Sequence, residues 1–477
     1  MTTRYSMRLN VALAVLTGLA QRIFFVLRFP ATGSGDTPFY IELAWNWLRN
    51  GVYGGEVDGR LVPLDSRMPG YPAFLAAVFA VAENSQRAVM FAQVTVDLAT
   101  CFAIALIAAR LAPEPARRRV ALAGLWLAAL CPFTANYTAV VLTETLVTFL
   151  TALGLLLVLE AEARSLAPAA NEKSARARAL SPWFLAGIVG GFGALVRPET
   201  PLLLVAAGLV LAARWRRPAD WLKLARAGVL MAIGLLLPLV PWAARNFRAL
   251  HEVQFLAPRY ANLPSELVPI GFNAWAHTWL WRYGDVYLTL WKLDDEPIPI
   301  ETVPAGAFDS PQERARVAVL LASYNRELEY SAELDRAFAE LARERTVRHP
   351  LRTYVEIPLL RSLAMWFTPR IELLPFSGQV FPLHSEWEND REDLLVTLAL
   401  GLVNCAYVAL ALAGAWLARR RPGCALLIVF VVVRTAFFAT AIETPEPRYV
   451  LECFPVVIAF AAQVFAERDQ LSSSGSG

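Results

Sequence analysis

Lysine, cysteine and histidine are scarce in this 477-residue sequence, and arginine carries almost all of its positive charge. The five cysteines show no CxxC spacing and no histidine partner pattern, so neither a metal site nor a disulfide framework is predicted. No glycine-rich phosphate loop follows a predicted strand, which argues against a nucleotide site. The net charge of +3 is nearly balanced and provides no basic footprint for nucleic acid.

Hydrophobic residues are what the sequence has in excess. They make up 56% of the chain, whereas soluble domains average about 45–50% apolar residues. A transmembrane helix needs about 20 mostly apolar residues. The runs that we interpret as spans are 9–28, 87–109, 120–137, 139–159, 183–197, 199–213, 225–243, 393–417, 424–441 and 449–466. We therefore predict an all-α polytopic membrane protein with about ten transmembrane helices.

Basic residues between these runs fall in alternate loops, which the positive-inside rule assigns to the cytoplasm. The first run is too long for the apolar core of a signal peptide and lacks a small-residue cleavage site, so we interpret it as a retained span. Both termini are thus predicted to be cytoplasmic, in a cytoplasmic (inner) membrane protein. The basic residues concerned are Arg4, Arg8, Arg110, Arg117, Arg118, Arg119, Arg164, Lys173, Arg176, Arg178, Arg214, Arg216, Arg217, Lys223, Arg226, Arg419, Arg420 and Arg421.

This orientation divides the chain into four parts. Residues 1–246 form an N-terminal transmembrane module with a first outer loop at 29–86 that carries short helices. Residues 247–390 form a larger, mostly α extracytoplasmic region, 391–471 form C-terminal transmembrane helices, and 472–477 is a tail or linker scar.

Within the extracytoplasmic region, apolar residues at helical spacing predict one helix from about 311 to 348. Ser310 is its predicted N-cap and Glu313 its capping-box partner. The run 354–367 is too short to span and carries a charge, so we predict an interfacial helix there. The aromatic side chains before this helix favour either an interfacial belt or an acceptor groove. They are Trp275, Trp279, Trp281, Tyr283 and Tyr287.

Another group of charged residues lies at the outer ends of the predicted spans. Charges at membrane depth are costly and usually mark a functional site. The topology brings them from six separate loops or span ends to one membrane face. They are Asp36, Arg67, Glu144, Arg197, Arg245 and Arg448, the last followed by Tyr449.

Arginines that alternate with carboxylates favour a reaction with a phosphate leaving group. Arginine holds phosphate bidentately and stabilises the charge that develops on it, and a carboxylate can act as general base. Each residue also has a structural interpretation. Asp36 fits a helix N-cap, Glu144 fits an ion pair between spans, and Arg245 and Arg448 fit interface anchors.

Four further charged residues fall inside apolar runs. For these we predict structural pairing between spans, because an unpaired charge in the bilayer is costly. They are Arg22, Asp97, Arg434 and Glu452.

The motifs GDTPFY, RMPGYP, LTE, LVRPE, PWAARN and PRY, in this order, resemble the GT-C class of polyprenyl-phosphate-sugar-dependent glycosyltransferases. That class contains the protein O-mannosyltransferases and the aminoarabinose transferase of lipid A. The resemblance runs from Leu9 to about Asn246 and resumes at 391–466. It departs from the mannosyltransferases, which have an Asp-Glu pair, at Thr37 after Asp36, and this weakens the case for a protein hydroxyl acceptor.

The resemblance implies a GT-C architecture and a role for each motif residue. Asp36 corresponds to the acid of the first loop that acts as catalytic base or positions the acceptor. Glu144 matches an acid at the outer end of the fourth span and is the second residue implied in catalysis. The residues implied in binding the donor phosphate are Arg67, Arg197 and Arg448. Those implied in binding substrate are Tyr40, Tyr71, Arg245 and Tyr449.

The implied reaction is inverting transfer of a single sugar from a polyprenyl-phosphate donor to a lipid, glycan or protein acceptor on the extracytoplasmic face. Its partners are the donor, the acceptor and membrane lipids, with no nucleic acid. No cofactor is certain, and a divalent cation is possible. Two alternatives stay open: a glycan polymerase or ligase with a diphosphate-linked donor, and a transporter or flippase of lipid-linked substrate.

Overall fold

The computed structural model describes residues 2–33, 35–166, 172–260 and 266–466. The predicted tail 472–477 lies outside the described residues, as do the side chains of Arg4, Lys173, Arg176 and Arg178.

The described residues form two compact units. The first unit falls within Met1–Arg259, Pro369–Val431 and Leu451–Gly477, and the second within Tyr260–Thr368 and Val432–Val450. The second unit therefore takes residues both from the predicted extracytoplasmic region and from a segment that the sequence boundaries assign to the C-terminal helices.

Helices dominate the described chain, as predicted. The helices up to residue 250 are α1 (Thr2–Arg28), α2 (Thr37–Asn50), α3 (Gly70–Ala82), α4 (Gln86–Leu111), α5 (Arg117–Leu130), α6 (Pro132–Asn136), α7 (Glu144–Leu166), α8 (Glu172–Val196), α9 (Leu202–Arg214) and α10 (Trp221–Leu250). In this part of the first unit, α8 packs along α7 and α10, and α4 packs against α5 and α7. These helices turn their apolar faces toward one another, and the buried side chains of those faces form the core of this part of the unit.

The remaining helices are α11 (Ile270–His277), α12 (Tyr283–Leu288), α13 (Pro311–Glu327), α14 (Ala332–Arg348), α15 (Ile357–Phe367), α16 (Leu383–Asn389), α17 (Arg391–Ala418), α18 (Cys424–Ala441) and α19 (Phe454–Ala461). A single turn of π-helix, Arg352–Glu356, runs directly into α15. The 3₁₀ segment Pro447–Cys453 precedes α19, which packs against α17.

The chain is a multi-pass membrane protein, but it has fewer full-length spans than predicted. Among the described residues, seven helices are long and apolar enough to cross a membrane, or eight if one bent pair counts as a span. That pair, Glu114–Leu130 and Pro132–Ala139, bends by 48°, since Pro132 has no N–H to continue the helical ladder. The runs 183–197 and 199–213 instead form shorter apolar helices, Ser181–Val196 and Leu202–Arg214.

The first outer loop carries α2 and α3, as predicted, and also a β-hairpin that the sequence analysis missed. The helix α2 ends at Asn50 as expected, with Gly51 as a left-handed cap. Strands β1 (Gly54–Val57) and β2 (Arg60–Pro63) then pair antiparallel. Asp58 and Gly59, with φ of 51° and 73°, form the two-residue turn, and Asp-Gly is a preferred sequence for such a turn.

In the second unit, the predicted single helix from 311 to 348 is wrong, because the structure has two helices there. Leu328 adopts a left-handed conformation, φ 54°, and caps α13. Ser331 then starts α14 by accepting a hydrogen bond from the backbone N–H of Leu334. The predicted N-cap Ser310 is confirmed, since its hydroxyl accepts from the N–H of Glu313.

The second unit also corrects the interpretation of its tryptophans. Trp275 and Trp279 are 0% and 3% exposed, which fits neither a membrane belt nor an open groove. They pack with Phe272 and Phe338 in the core of this unit, where the ring centroids of Trp275 and Phe338 are 5.1 Å apart.

The charges predicted inside spans have buried partners. Arg22 Nη2 lies 2.6 Å from Asp97 Oδ2, which confirms the predicted structural pair. Glu452 accepts a 2.8 Å hydrogen bond from the Thr151 hydroxyl. In the second unit, Arg434 Nε donates to the carbonyl of Tyr449 at 2.9 Å.

Candidate active site

Asp36 and Arg67 form an ion pair within the first outer loop. Arg67 Nη2 lies 2.7 Å from Asp36 Oδ1, and the two side chains are 20% and 35% exposed. Asp36 occupies the N-cap position of α2, yet in the described structure its side chain makes no capping hydrogen bond. The carboxylate faces the arginine instead, so the N-cap interpretation accounts for its backbone position and not for its acid group.

A second ion pair joins the start of α7 to the end of α8. Arg197 Nη1 lies 3.2 Å from Glu144 Oε1, and its Nε lies 2.7 Å from Glu199 Oε1. The Glu144 side chain is 2% exposed and that of Arg197 is 14% exposed. Arg197 therefore contacts two carboxylates, that of the buried Glu144 and that of Glu199 in its own LVRPE motif.

The chain before Glu144 is tied to the first loop through its backbone. The N–H of Ala31 donates to the carbonyl of Ala139 at 2.9 Å, and Ala31 and Val140 form a parallel β-bridge. The Thr37 hydroxyl donates to the carbonyl of Val141 at 3.0 Å. These bonds set the start of α2, next to Asp36, beside the segment that leads into Glu144.

Gly70 brings the Arg67 turn against the end of α8. A Cβ at this position would lie 2.6 Å from the carbonyl oxygen of Leu195, two residues before Arg197. Only glycine permits this approach of two backbones. The RMPGYP motif is thus a packing motif that holds the Arg67 loop next to the helix end that carries Arg197.

Tyr40 stands between the two ion pairs. Its ring packs edge-on against Tyr71 with centroids 5.2 Å apart. Burial, together with the charges of Asp36 and Glu144, raises the pKa of Tyr40 above its ordinary value although Arg67 and Arg197 oppose the shift. Tyr40 therefore keeps its proton at neutral pH.

Arg67 is held in its charged form. Burial acts to lower its pKa, but the charge of Asp36 and its hydrogen bond outweigh burial, and the pKa lies above the ordinary value. A fixed positive charge in a partly exposed position is what an anionic ligand requires.

Arg245 clamps the first loop from α10. Its Nη1 donates to the carbonyl of Leu64 at 2.8 Å, and its Nη2 donates to the carbonyl of Tyr53. Its guanidinium also lies 5.1 Å from the ring centre of Trp242. These backbone contacts at both ends of the hairpin favour a positioning role over the predicted contact with substrate.

Arg448 and Tyr449 belong to the second unit, where both contact one acid. Arg448 Nε lies 2.5 Å from Glu446 Oε2, and the Tyr449 hydroxyl donates to Glu446 Oε1 at 2.7 Å. The Thr444 hydroxyl lies 2.9 Å from that of Tyr449. The segment 444–449, which ends in the PRY motif, therefore forms a compact cluster of hydrogen bonds and one ion pair.

Three site residues escaped the sequence analysis. Glu199 lies inside the LVRPE motif, two residues after Arg197, and Glu446 lies two residues before Arg448, next to the PRY motif. This spacing was the available signal. Gln93 had no such signal, because it is a single polar residue in an apolar run. It is 1% exposed, accepts from the Tyr71 hydroxyl at 2.8 Å and donates to the carbonyl of Val140 at 2.7 Å.

Within the described residues, no group of three or more His, Cys, Asp or Glu side chains is arranged to hold a metal ion. The carboxylates of Asp36, Glu144 and Glu199 instead meet arginines. The arrangement can therefore do two things: accept a proton at a carboxylate and bind an anion at the neighbouring guanidinium.

No family model and no curated protein matches the sequence. The fold, however, matches solved structures of the oligosaccharyltransferase AglB from Archaeoglobus fulgidus, a GT-C glycosyltransferase. The complex with an inhibitory peptide and a dolichol-phosphate aligns with a TM-score of 0.52 at 13% identity, over 99% of this chain and 52% of that chain. The chain has the GT-C fold.

Two further structures of the same archaeal protein agree. The apo form aligns with a TM-score of 0.52 at 14% identity, over 99% of this chain and 52% of that one. The form tethered to an acceptor peptide with the NVT sequon gives 0.51 at 15% identity, over 97% and 49%. This chain thus spans about half the length of these GT-C proteins, and the predicted GT-C architecture is confirmed.

Proposed function

We propose that this protein is an inverting membrane glycosyltransferase that moves a single sugar from a polyprenyl-phosphate donor to a lipid, glycan or protein acceptor. The reaction takes place on the extracytoplasmic face of the cytoplasmic membrane. The GT-C fold supports glycosyl transfer, and the donor class comes from the chemistry of the ion pairs. The observation that carries the proposal is the partly exposed pair of Asp36 and Arg67, 2.7 Å apart.

In the proposed step, the acceptor oxygen or nitrogen forms a bond to the anomeric carbon while the bond from that carbon to the phosphate oxygen breaks. Asp36 takes the proton of the acceptor as general base. The polyprenyl phosphate leaves with the bonding electron pair, and arginines stabilise the charge that it gains. Inversion puts the acceptor and the leaving phosphate on opposite faces of the anomeric carbon, so the base and the phosphate ligand must border one sugar-binding site. The contact of 2.7 Å between Asp36 and Arg67 supports this.

The other residues have supporting roles in this proposal. Within the first unit, Arg197 is the second phosphate ligand, and Glu144 orients Arg197 through their contact of 3.2 Å. Tyr40 and Tyr71 line the reaction site, with Tyr40 as a neutral hydroxyl donor. The phosphate role of Arg448 and the substrate contact of Tyr449 stay predictions from the resemblance.

The decisive test replaces Asp36 by Asn and measures transfer from a radiolabelled polyprenyl-phosphate sugar. Without its base, transfer falls by about 10²–10⁴-fold, while thermal unfolding stays that of the wild type. Asp58→Asn is the matched control, because Asp58 is exposed in the same loop at a turn position that Asn also tolerates. Full activity of Asp36→Asn would refute the proposal. The same assay with a chelator reports whether a divalent cation takes part.

One observation favours a second candidate, transfer of an oligosaccharide from a diphosphate-linked donor. The proteins with the matching fold are oligosaccharyltransferases, one solved with a dolichol-phosphate and one with an acceptor peptide. Competition between monophosphate and diphosphate lipids separates the two candidates. Inhibition by the monophosphate lipid alone supports the single-sugar transferase.

A further inference from the structure

Three cavities lie in the first unit at the helix ends opposite the Asp36–Arg67 pair. Their volumes are about 640, 430 and 350 Å³. They lie near the C-terminal ends of α4, α7, α9 and α17 and at the start of α18. The positive-inside rule assigns this side to the cytoplasm.

Arginines dominate the charged lining of these cavities. Arg421 lines all three, and Glu114 and Glu162 are the acids among their lining residues. The arginines of the lining are Arg110, Arg117, Arg119, Arg214, Arg419, Arg420 and Arg421. Seven positive against two negative side chains leave an excess of five positive charges, which favours an anionic ligand.

Some of these charges are already neutralised by neighbours. Arg214 is paired with Glu162, Arg110 with Glu160 just outside the lining, and Arg117 lies 2.5 Å from Glu114. Arg420 and Arg421 are different: among the described residues, their exposed side chains have no hydrogen-bond or ion-pair partner. The two guanidinium groups at the turn between α17 and α18 are therefore available to a phosphate.

The largest of these three cavities, of about 640 Å³, is charged at one end and apolar at the other. Beside the arginines, it is lined by Leu209 and Val210 of α9 and by Leu426 and Val429 of α18. Leu209 is 52% exposed. A free anion would use only the arginine end, whereas a ligand with a charged head and a hydrocarbon chain matches the whole lining.

We propose that this cavity binds an anionic phospholipid of the cytoplasmic leaflet. Arg214, Arg419, Arg420 and Arg421 surround its phosphate headgroup, and an acyl chain lies along the groove between α9 and α18. Basic pockets between transmembrane helices are suited to such headgroups. The site is separate from the proposed transfer reaction and does not depend on it.

The test uses the full chain, purified in detergent and stripped of lipid, with phosphatidylglycerol added. Bound lipid is measured by native mass spectrometry, and stabilisation by thermal unfolding. We expect Arg420→Gln with Arg421→Gln to bind at least about tenfold more weakly, since each arginine contributes to headgroup attraction. The matched control is Arg216→Gln with Arg217→Gln, which removes the same charge from exposed residues outside the lining.

A second variant tests the chain groove without changing charge. Val429→Trp fills the apolar end and should abolish phosphatidylglycerol binding while all arginines remain. The proposal is overturned if both arginine variants lose binding equally, if Val429→Trp binds like the wild type, or if phosphatidylcholine or inorganic phosphate stabilises the protein as well as phosphatidylglycerol does.

Discussion

Two of the arginine–carboxylate pairs in the first unit are similar in length but lie in very different surroundings. Arg22 and Asp97 lie 2.6 Å apart with side chains 0% and 2% exposed, and Arg67 and Asp36 lie 2.7 Å apart with side chains 20% and 35% exposed. Distance therefore does not distinguish them. Exposure and the number of other partners do.

Arg22 is saturated with hydrogen bonds. Its Nη1 donates to the carbonyls of Gly18 and Ala129, at 3.0 and 3.1 Å, and its Nη2 donates to that of Ala128 at 3.2 Å. A buried arginine in this state has no capacity for a ligand and serves to join helices. Arg67 faces an accessible loop, where a phosphate can join or replace its partner. Under the proposed function, the same residue types thus serve structure in one place and chemistry in another.

The largest effect is expected when the buried pair of Arg22 and Asp97 is broken. Asp97→Asn leaves the Arg22 charge buried without its counterion, which costs about 3–5 kcal/mol. Thermal unfolding in detergent should show a large fall in the melting temperature. The double change Arg22→Met with Asp97→Leu should recover much of this loss, because no buried charge remains. A wild-type melting temperature for Asp97→Asn would show that the pair is not structural.

The next largest effect is expected at the more exposed pair of Arg67 and Asp36. Arg67→Gln should lower the rate of sugar transfer by about 10²–10³-fold, the loss typical when one ligand of developing charge is removed. Its melting temperature should stay near that of the wild type. Arg60→Gln is the control, since Arg60 is exposed in the same loop. If Arg67→Gln instead unfolds the protein and Arg60→Gln does not, the exposed pair is structural too.

A smaller effect comes from moving the two outer ion pairs apart without removing charge. Gly70→Ala places a methyl group 2.6 Å from the carbonyl of Leu195, and such overpacking costs about 1–3 kcal/mol. We expect slower transfer and a lower melting temperature. Gly208→Ala is the control, because a Cβ there has no neighbour within 4 Å among the described residues. Equal behaviour of the two variants would contradict the packing role of the RMPGYP motif.

The smallest effect concerns a third arginine–carboxylate group, in the second unit. Asp309 lies 2.6 Å from Arg352 and 2.9 Å from Arg348. Burial acts to raise its pKa, but the hydrogen bond of Arg352 and the charge of Arg345 outweigh burial and hold the pKa below its ordinary value. Asp309→Asn should lower stability at pH 7 by about 1 kcal/mol.

The sign of the pH dependence follows from that lowered pKa. The carboxylate stabilises the folded state above the unfolded pKa of about 3.9 and loses this effect as the pH falls through the folded value. The difference in melting temperature between wild type and Asp309→Asn should therefore shrink below about pH 4. Asp295→Asn, at an exposed position of the same unit, should show no such convergence. A constant difference at all pH values would refute the assignment.

Sequence reasoning succeeded where the signal was local. Long apolar runs predicted helices, and the motif residues Asp36, Arg67, Glu144 and Arg197 do form ion pairs. The Asp58-Gly59 pair was an available local signal for the hairpin that the sequence analysis missed. It failed at Leu328, because leucine rarely adopts the left-handed conformation and the apolar stripe continues past it. It also failed for Trp275, whose burial depends on distant partners such as Phe338.

By itself, the sequence determined that this chain lies in a membrane, and it predicted which loops face the cytoplasm and which outer residues take part in the chemistry. These follow from composition and from the cost of burying charge in lipid, which act locally along the chain. Only the tertiary structure decided which arginine meets which acid, and which of those pairs stays open to a ligand. The reason is that partners such as Arg197 and Glu144 come from different helices, and their exposure depends on how those helices pack.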